Sequence, residues 1–166
     1  MQTMDIETAK KILDLGWKYE DLDNPYTFIN ILGVPIYDYY IHQAPKEKRL
    51  TIRAYSVLKQ CKVKSVLDLY LLNKYRISNI KGCGERTIQQ IEKFYEDVLH
   101  FNLVESTEQS IIRLNRVENR LDEVITDIHN GDKQLTFQCD YVNERVREYH
   151  EDIYESRYKF MHLRFR

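Results

Sequence analysis

The sequence lacks the features of a metal-binding, secreted or membrane protein. Its three cysteines, Cys61, Cys83 and Cys139, are far apart, form no CxxC pair and have no histidine at zinc-ligand spacing. They predict reduced thiols, as in a cytoplasmic protein. Residues 1–16 are acidic and amphipathic, unlike a leader peptide, and no apolar run approaches the roughly 20 residues of a membrane helix. We therefore expect a cytoplasmic protein that uses neither a metal nor a membrane.

Features of an enzyme are missing as well. The histidines are scattered, no Ser/His/Asp or Cys/His constellation is visible, and the sequence contains neither a phosphate loop nor a GxGxxG motif. Adjacent carboxylates such as Asp122 and Glu123 point in different directions on a helix. The sequence thus predicts a non-enzymatic protein with no catalytic residue, no metal ligand and no cofactor.

Charge is distributed unevenly along the chain, although the formal net charge is only -1. Residues 50–100 carry nine basic and five acidic side chains, whereas residues 1–45 carry three and seven. Residues 101–166 carry ten basic and thirteen acidic side chains. A basic centre between two acidic segments favours a central anion-binding module, and its mild excess of charge favours weak or auxiliary binding.

Four segments follow from this reading. Residues 1–45 predict a small helical piece, in which Thr3 or Asp5 caps a helix that ends at Gly16. Its aromatic residues could stack on bases, but burial in a core or a partner interface is favoured because the segment is acidic. These aromatic residues are Trp17, Tyr19, Tyr26, Phe28, Tyr37, Tyr39 and Tyr40. Residues 46–49 are the predicted linker, followed by a module at 50–100 and a tail at 101–166.

The central module is predicted to be all-helical. Thr51, Ser65 and Asn73 are suitable N-caps for helices over 52–61, 66–71 and 74–80, and a fourth helix over 85–100 follows a glycine turn. Almost no strand pattern is present. The predicted fold class is therefore all-α.

Two long helices are predicted in the tail. Ser106 and Gln109 form a capping box at the start of the first helix, and apolar side chains then recur at alternating spacings of three and four. We call these residues the seam: Leu114, Val117, Leu121, Val124, Ile128, Leu135, Val142, Val146, Tyr149 and Ile153. The pattern predicts an antiparallel helical hairpin, or an arm that pairs with a second copy in a homodimer or with a protein partner.

The glycine turn of the module is the clearest candidate binding site. Gly82 and Gly84 flank one residue, and we expect positive φ values there to reverse the chain. The second glycine opens a helix whose first amides have no internal partner and attract an anion. Lys81 before the turn, and Arg86 and Thr87 after it, could add two cations and a hydroxyl around a phosphate. The alternative is that the two glycines form only a tight turn.

Leu50 to Tyr95 resembles the C-terminal domain of the bacterial RNA polymerase alpha subunit. The matching stretches read LTIRAYSVLK at 50–59, VKSVLDL at 63–69 and IKGCGERTIQQI at 80–91. The resemblance implies a helix-hairpin-helix that binds the minor groove of A·T-rich DNA and on which transcription factors also dock.

The resemblance also implies roles for individual residues. Arg53 matches the arginine that enters the groove, and Ser56 stands where the family usually has an asparagine. Gly84, Arg86 and Thr87 match the glycine, the basic residue and the small hydroxyl residue that grip the DNA backbone. A serine hydroxyl is shorter and offers fewer hydrogen-bonding groups than an amide. The departure at Ser56 therefore concerns base reading more than phosphate binding.

Two functions of different classes are compatible with these features. The preferred hypothesis is a non-enzymatic DNA-binding or transcription-associated accessory protein that grips the backbone and minor groove through the helix-hairpin-helix. The alternative is a protein-interaction adaptor or inhibitor that mimics the polymerase domain without binding DNA, which the acidic, aromatic N-terminal segment favours.

Overall fold

The computed structural model describes residues 6–16, 23–36, 50–100, 102–127 and 133–164, and the side chains of 7–16, 23–36, 50–100, 102–126 and 135–152. Eight helices lie in these ranges, and none of the described residues forms a strand. The helices are α1 (Ile6–Leu15), α2 (Pro25–Leu32), α3 (Ile52–Gln60), α4 (Val66–Tyr70), α5 (Lys74–Ser78), α6 (Glu85–Leu99), α7 (Thr107–Asp127) and α8 (Lys133–Arg164). The predicted all-α class is confirmed.

Side-chain caps fix where the helices begin. The Thr51 hydroxyl accepts a hydrogen bond from the Ala54 amide at 3.2 Å, and Asn73 Oδ1 accepts one from the Arg76 amide at 2.8 Å. At the start of α4 the Asp68 carboxylate accepts a hydrogen bond from the Ser65 amide. These caps satisfy amides that have no partner inside a helix, which is why the predicted starts agree with the structure.

Helix α5 ends earlier than the sequence predicts. We expected a helix over 74–80, but α5 ends at Ser78. The amide of Ile80 bonds to the Ile77 carbonyl, and the amide of Cys83 bonds to the Ile80 carbonyl, so the chain winds into tight turns before the glycines. The predicted 74–80 segment is therefore wrong in its last two residues.

Among the described residues, a single apolar cluster joins the N-terminal segment, the central module and the tail. Helix α2 lies at its centre, where Phe28 to Leu32 are buried and α2 packs against α1, α4, α7 and α8. The rings of Phe28 and Tyr70 meet edge to face, with their centroids 5.8 Å apart. The burial of Phe28 agrees with the core role favoured for the aromatic residues, while Trp17, Tyr19, Tyr37, Tyr39 and Tyr40 lie outside the described residues.

The seam of the tail contributes to this core. Leu114, Val117, Leu121, Val124, Leu135, Val142 and Val146 are buried, whereas Tyr149 is only partly buried. Ile128 and the side chain of Ile153 lie outside the described part. Helices α7 and α8 pack on each other and on α2, and Glu118 contacts His150 across the pair. The buried seam residues thus pack within one chain, and homodimerisation through them has no support here.

Backbone hydrogen bonds join the central module to residues 34–36, and helix packing holds the module together. Residues 34–36 pair with 64–66 through hydrogen bonds from Val66 to Val34 and from Ile36 to Lys64. Helix α3 packs against α6, and α5 packs against α6. Within the described helices, no segment is both long and apolar enough to cross a bilayer.

Candidate nucleic-acid interface

The turn between α5 and α6 contains one glycine in a left-handed conformation and one in an extended conformation. Gly82 has a φ of 81°, a left-handed conformation that side chains resist, whereas Gly84 has a φ of -84° and a ψ of 176°. The expectation of a positive φ at Gly84 is therefore wrong, because the chain has already reversed at Gly82. A β-carbon built on Gly84 meets no atom within 4 Å. The fold itself does not require glycine at position 84.

The N-terminus of α6 has no side-chain cap, because Gly84 stands at the cap position. The amides of Glu85, Arg86 and Thr87 have no internal helical acceptor. The N-terminus of α5 is different, because Lys74 and Tyr75 donate their amide protons to the carbonyls of Val104 and Glu105 at 2.8 and 3.1 Å. Helix α6 therefore presents open amide donors where α5 presents none.

A surface cavity of about 350 Å³ lies in front of this helix start. We call it the hairpin cleft, and its lining residues are Thr51, Arg53, Gly82, Gly84, Arg86, Thr87 and Gln90. No carboxylate lines it. One guanidinium nitrogen of Arg53 lies 4.0 Å from the position of a β-carbon on Gly82, so α3 delivers its arginine to the turn. Two arginines and an open helix start thus face one small space.

The residues predicted from sequence divide into two groups. Arg53, Gly82, Gly84, Arg86 and Thr87 meet in the hairpin cleft, and Thr87 is buried there while Arg53 and Arg86 are exposed. Ser56 and Lys81 are also exposed but do not line the cleft.

Two lining residues were not predicted as site residues. Thr51 appeared in the sequence only as a helix cap, and Gln90 lies six residues beyond Gly84 on α6. The Thr51 hydroxyl donates a hydrogen bond to Gln90 Oε1 at 2.9 Å. This contact spans 39 positions of sequence, so no local spacing could have found it.

The positive charge of Arg53 acts on Cys83, the residue between the two glycines of the turn. Partial burial raises the pKa of the Cys83 thiol, and the Arg53 cation acts in the opposite direction. Burial prevails, so the thiol stays neutral near pH 7. The thiol therefore adds no negative charge to the turn, and Glu85, the carboxylate that follows Gly84, lies outside the lining of the cleft.

A second polar cluster lies where α4 of the module meets α8 of the tail, and the sequence does not predict it. Asp68 is fully buried, and its Oδ1 accepts hydrogen bonds from Arg145 Nε at 3.0 Å and from the Tyr149 hydroxyl at 2.8 Å. Its Oδ2 accepts from the amides of Lys64 and Ser65 at 2.9 and 3.2 Å. We call this group the Asp68 cluster. It joins α4 to α8.

The pKa shifts in the Asp68 cluster have clear causes. Burial, followed by the negative charge of Asp68, raises the pKa of the Tyr149 hydroxyl. Burial lowers the pKa of the Arg145 guanidinium, but the Asp68 carboxylate outweighs this effect and raises it. Arg145 thus remains a cation that pairs with the buried Asp68 and with the partly exposed Glu148, an arrangement that holds α8 against α4.

Metal chemistry finds no support in the described residues. No group of three or more His, Cys, Asp or Glu side chains is arranged there to hold a metal ion. The buried thiol of Cys139 has its pKa raised to about 11, chiefly by burial, which leaves it protonated and a poor ligand.

Comparison with known proteins gives one relative. Over 89 residues, which are 54% of this chain, the sequence is 27% identical to a DNA-directed RNA polymerase subunit alpha from Cyanidioschyzon merolae. The matched region is 25% of the length of that protein. No family model matches the chain, and no solved structure matches it. The similarity supports a relation between this chain and an RNA polymerase alpha subunit.

Proposed function

We propose that this chain is a non-enzymatic, DNA-binding accessory protein of transcription, and that α5, the glycine turn and α6 act as a helix-hairpin-helix. The observation that carries the proposal is the hairpin cleft, in which Arg53 and Arg86 face the uncapped start of α6 without an acidic neighbour in the lining. The relation to a DNA-directed RNA polymerase subunit supports the link to transcription.

The start of α6 supplies the phosphate contact. Its open amides and the positive end of the helix dipole favour an anion. Arg86 lies within the first turn, where a guanidinium can form charge-assisted hydrogen bonds to a phosphate. The open space at Gly84 lets a phosphate oxygen approach the backbone. Thr87 adds a hydroxyl that lines the cleft.

Arg53 supplies the contact to the groove. It projects from the first turn of α3, it is exposed, and its guanidinium lies over Gly82. A planar, weakly hydrated cation suits the narrow minor groove of A·T-rich DNA, where the negative potential is strongest. In the proposed complex the turn holds the backbone while Arg53 enters the adjacent groove.

Affinity in this arrangement is modest and depends on salt. Two or three cations meet DNA in one chain, so the logarithm of the affinity should fall with the logarithm of salt with a slope of about -2 to -3. Such a module needs a second contact to act at physiological salt, and a partner in the transcription machinery would provide it.

Fluorescence anisotropy of the full chain with a labelled A·T-rich duplex at two salt concentrations tests the proposal. We expect Arg53→Ala and Arg86→Ala each to lower affinity about tenfold. Lys11→Ala is the matched control, because it removes an exposed cation of α1 and should leave affinity unchanged. Absence of binding by the wild-type chain at low salt would refute DNA binding.

A second candidate function is protein interaction without DNA. A groove of about 610 Å³ lies between α5, α7 and α8, and its lining includes apolar Leu71, Ile80 and Ile111 with the exposed Tyr75. A surface of this kind suits a partner protein. This adaptor or inhibitor function is favoured if the chain fails to bind DNA but is retained by a purified transcription protein.

A further inference from the structure

Thr87 is the most deeply buried residue of the hairpin cleft. Its exposed fraction is only 5%, yet it lines the cavity. Among the described residues its hydroxyl has no hydrogen-bond partner. The buried hydroxyl of Ser65, by contrast, donates to Asp68 Oδ2 at 3.3 Å. Because buried polar groups are normally paired, an unpaired hydroxyl that lines a cleft indicates a ligand that enters the cleft.

The donors around Thr87 exceed what one backbone phosphate of DNA can accept. The amides of Glu85, Arg86 and Thr87 have no internal acceptor at the uncapped start of α6. The guanidinium groups of Arg53 and Arg86 add several N–H donors each, and no carboxylate lines the cleft. A phosphodiester within a DNA chain offers these groups two terminal oxygens and a single negative charge. The cleft can therefore satisfy a more highly charged phosphate.

We propose that the hairpin cleft binds a phosphomonoester, the terminal phosphate of a nucleotide, more tightly than a phosphodiester. A phosphomonoester carries a charge of about -1.5 to -2 near pH 7 and three terminal oxygens. It is substituted at one oxygen only, so the other three can enter the cleft together and reach the buried Thr87. This ligand is additional to duplex DNA, and its binding does not require that the chain bind a duplex.

Each terminal oxygen has its own partners in the proposed complex. One accepts a hydrogen bond from the Thr87 hydroxyl, and a second accepts from the amides at the start of α6, where the helix dipole favours an anion. The third faces Arg86 and Arg53, whose guanidinium lies over Gly82. The remaining oxygen carries the nucleoside and points out of the cleft. A volume of about 350 Å³ holds the phosphate but leaves little room for the base.

Isothermal titration calorimetry of the full chain, in a buffer free of phosphate and sulfate, tests the proposal with AMP, cyclic AMP and adenosine. The three probes share one nucleoside and carry a phosphomonoester, a phosphodiester and no phosphate. We expect AMP to bind about tenfold more tightly than cyclic AMP, and adenosine to give no binding signal. Equal affinity for AMP and cyclic AMP, or no binding of AMP, would overturn the proposal.

Thr87 variants test whether the buried hydroxyl contacts the phosphate. Thr87→Val keeps the size of the side chain and removes the hydroxyl, so AMP affinity should fall about tenfold while the preference over cyclic AMP shrinks. Thr87→Ser keeps the hydroxyl and should retain both. Lys11→Ala removes an exposed cation of α1 and should bind AMP like wild type. Circular dichroism verifies that the helices are intact, and wild-type AMP affinity in Thr87→Val would refute the role of Thr87.

The phosphomonoester could come from a free nucleotide or from the end of a DNA strand. Anisotropy with two duplexes that differ only in a phosphate or a hydroxyl at the 5′ ends separates these sources. A gain of about tenfold for the phosphorylated duplex assigns the site to DNA ends. Equal affinity for the two duplexes, with AMP bound in calorimetry, assigns it to free nucleotides.

The outcomes also distinguish this inference from the proposed function. AMP binding by a chain that binds no duplex at low salt would refute DNA binding and leave the phosphomonoester site standing. Duplex binding that depends on Arg53 and Arg86, by a chain that does not bind AMP, would do the reverse.

Discussion

Arginines serve opposite purposes in the Asp68 cluster and in the hairpin cleft. Arg145 donates to a fully buried carboxylate and to the carbonyl of Lys62, so its donors are used inside the protein. Arg53 and Arg86 are exposed and line a cavity with no carboxylate. The difference lies in the partners, since the side chains are chemically identical.

The same contrast applies to helix N-termini. The start of α4 is closed by Asp68 and the start of α5 by the carbonyls of Val104 and Glu105, whereas the start of α6 is open. Polar groups with a hydrogen-bond partner inside the protein stabilise the fold. Exposed groups without such a partner bond to water at little cost in free energy and remain available to a ligand. Substitutions in the two places should therefore affect different measurements.

The largest expected effect is on stability, at Asp68. Asp68→Ala removes the buried acceptor for Arg145, the Tyr149 hydroxyl and the amides of Lys64 and Ser65, and leaves the partly buried Arg145 with only Glu148 as its carboxylate partner. We expect the free energy of unfolding to fall by about 3–5 kcal/mol, because breaking one side of a buried ion pair has a cost of this size. Urea unfolding of the full chain, followed by circular dichroism, measures it.

Asp122→Ala is the control for this prediction. Asp122 is an exposed carboxylate on α7, so its loss should change stability by less than about 0.5 kcal/mol. A loss of less than about 1 kcal/mol in Asp68→Ala would show that the cluster is not a structural anchor and would remove the contrast with the cleft.

A substitution at Gly84 should move stability and binding in opposite directions. Gly84→Ser fits, because the backbone at Gly84 is extended and a β-carbon has open space there. The serine hydroxyl would cap α6, which raises stability by roughly a few tenths of a kcal/mol. It would also occupy an open amide and obstruct a phosphate. We expect anisotropy to show about a tenfold loss of DNA affinity.

Gly82→Ala is the matched comparison within the same turn. Its φ of 81° is unfavourable for alanine, so unfolding free energy should fall by about 1 kcal/mol. Unchanged or improved DNA affinity in Gly84→Ser would contradict the view that the open start of α6 holds a phosphate.

The sequence predicts the helices of the central module well because their signals are local. The sequence marks Thr51, Ser65 and Asn73 as caps, and the helices begin directly after them. The hairpin cleft was only partly predictable. The turn and the family resemblance predict Arg53, Gly82, Gly84, Arg86 and Thr87, whereas Gln90 contacts Thr51, which is distant in sequence.

The tail shows why pattern alone is insufficient. A seam of alternating apolar residues such as Val117 and Val142 predicts a helical pairing but does not specify the surface that it meets. In the structure these side chains join a core that includes α2. The Asp68 cluster is not predictable for a related reason, because Arg145 and Asp68 are 77 positions apart and each resembles an ordinary charged surface residue in the sequence.

The smallest expected effect is a gain at Ser56. This residue is exposed on α3, one turn beyond Arg53, and stands outside the cleft lining. Ser56→Asn adds the longer amide that the resemblance places at this position, so affinity for an A·T-rich duplex should rise about two- to threefold in anisotropy at low salt. Thr126→Asn replaces an exposed hydroxyl residue of α7, outside the proposed helix-hairpin-helix, by the same amide and should have no effect. An equal gain in both variants would mean that an added amide raises DNA affinity wherever it is exposed. The groups that contact DNA would then not be confined to the cleft and its surroundings.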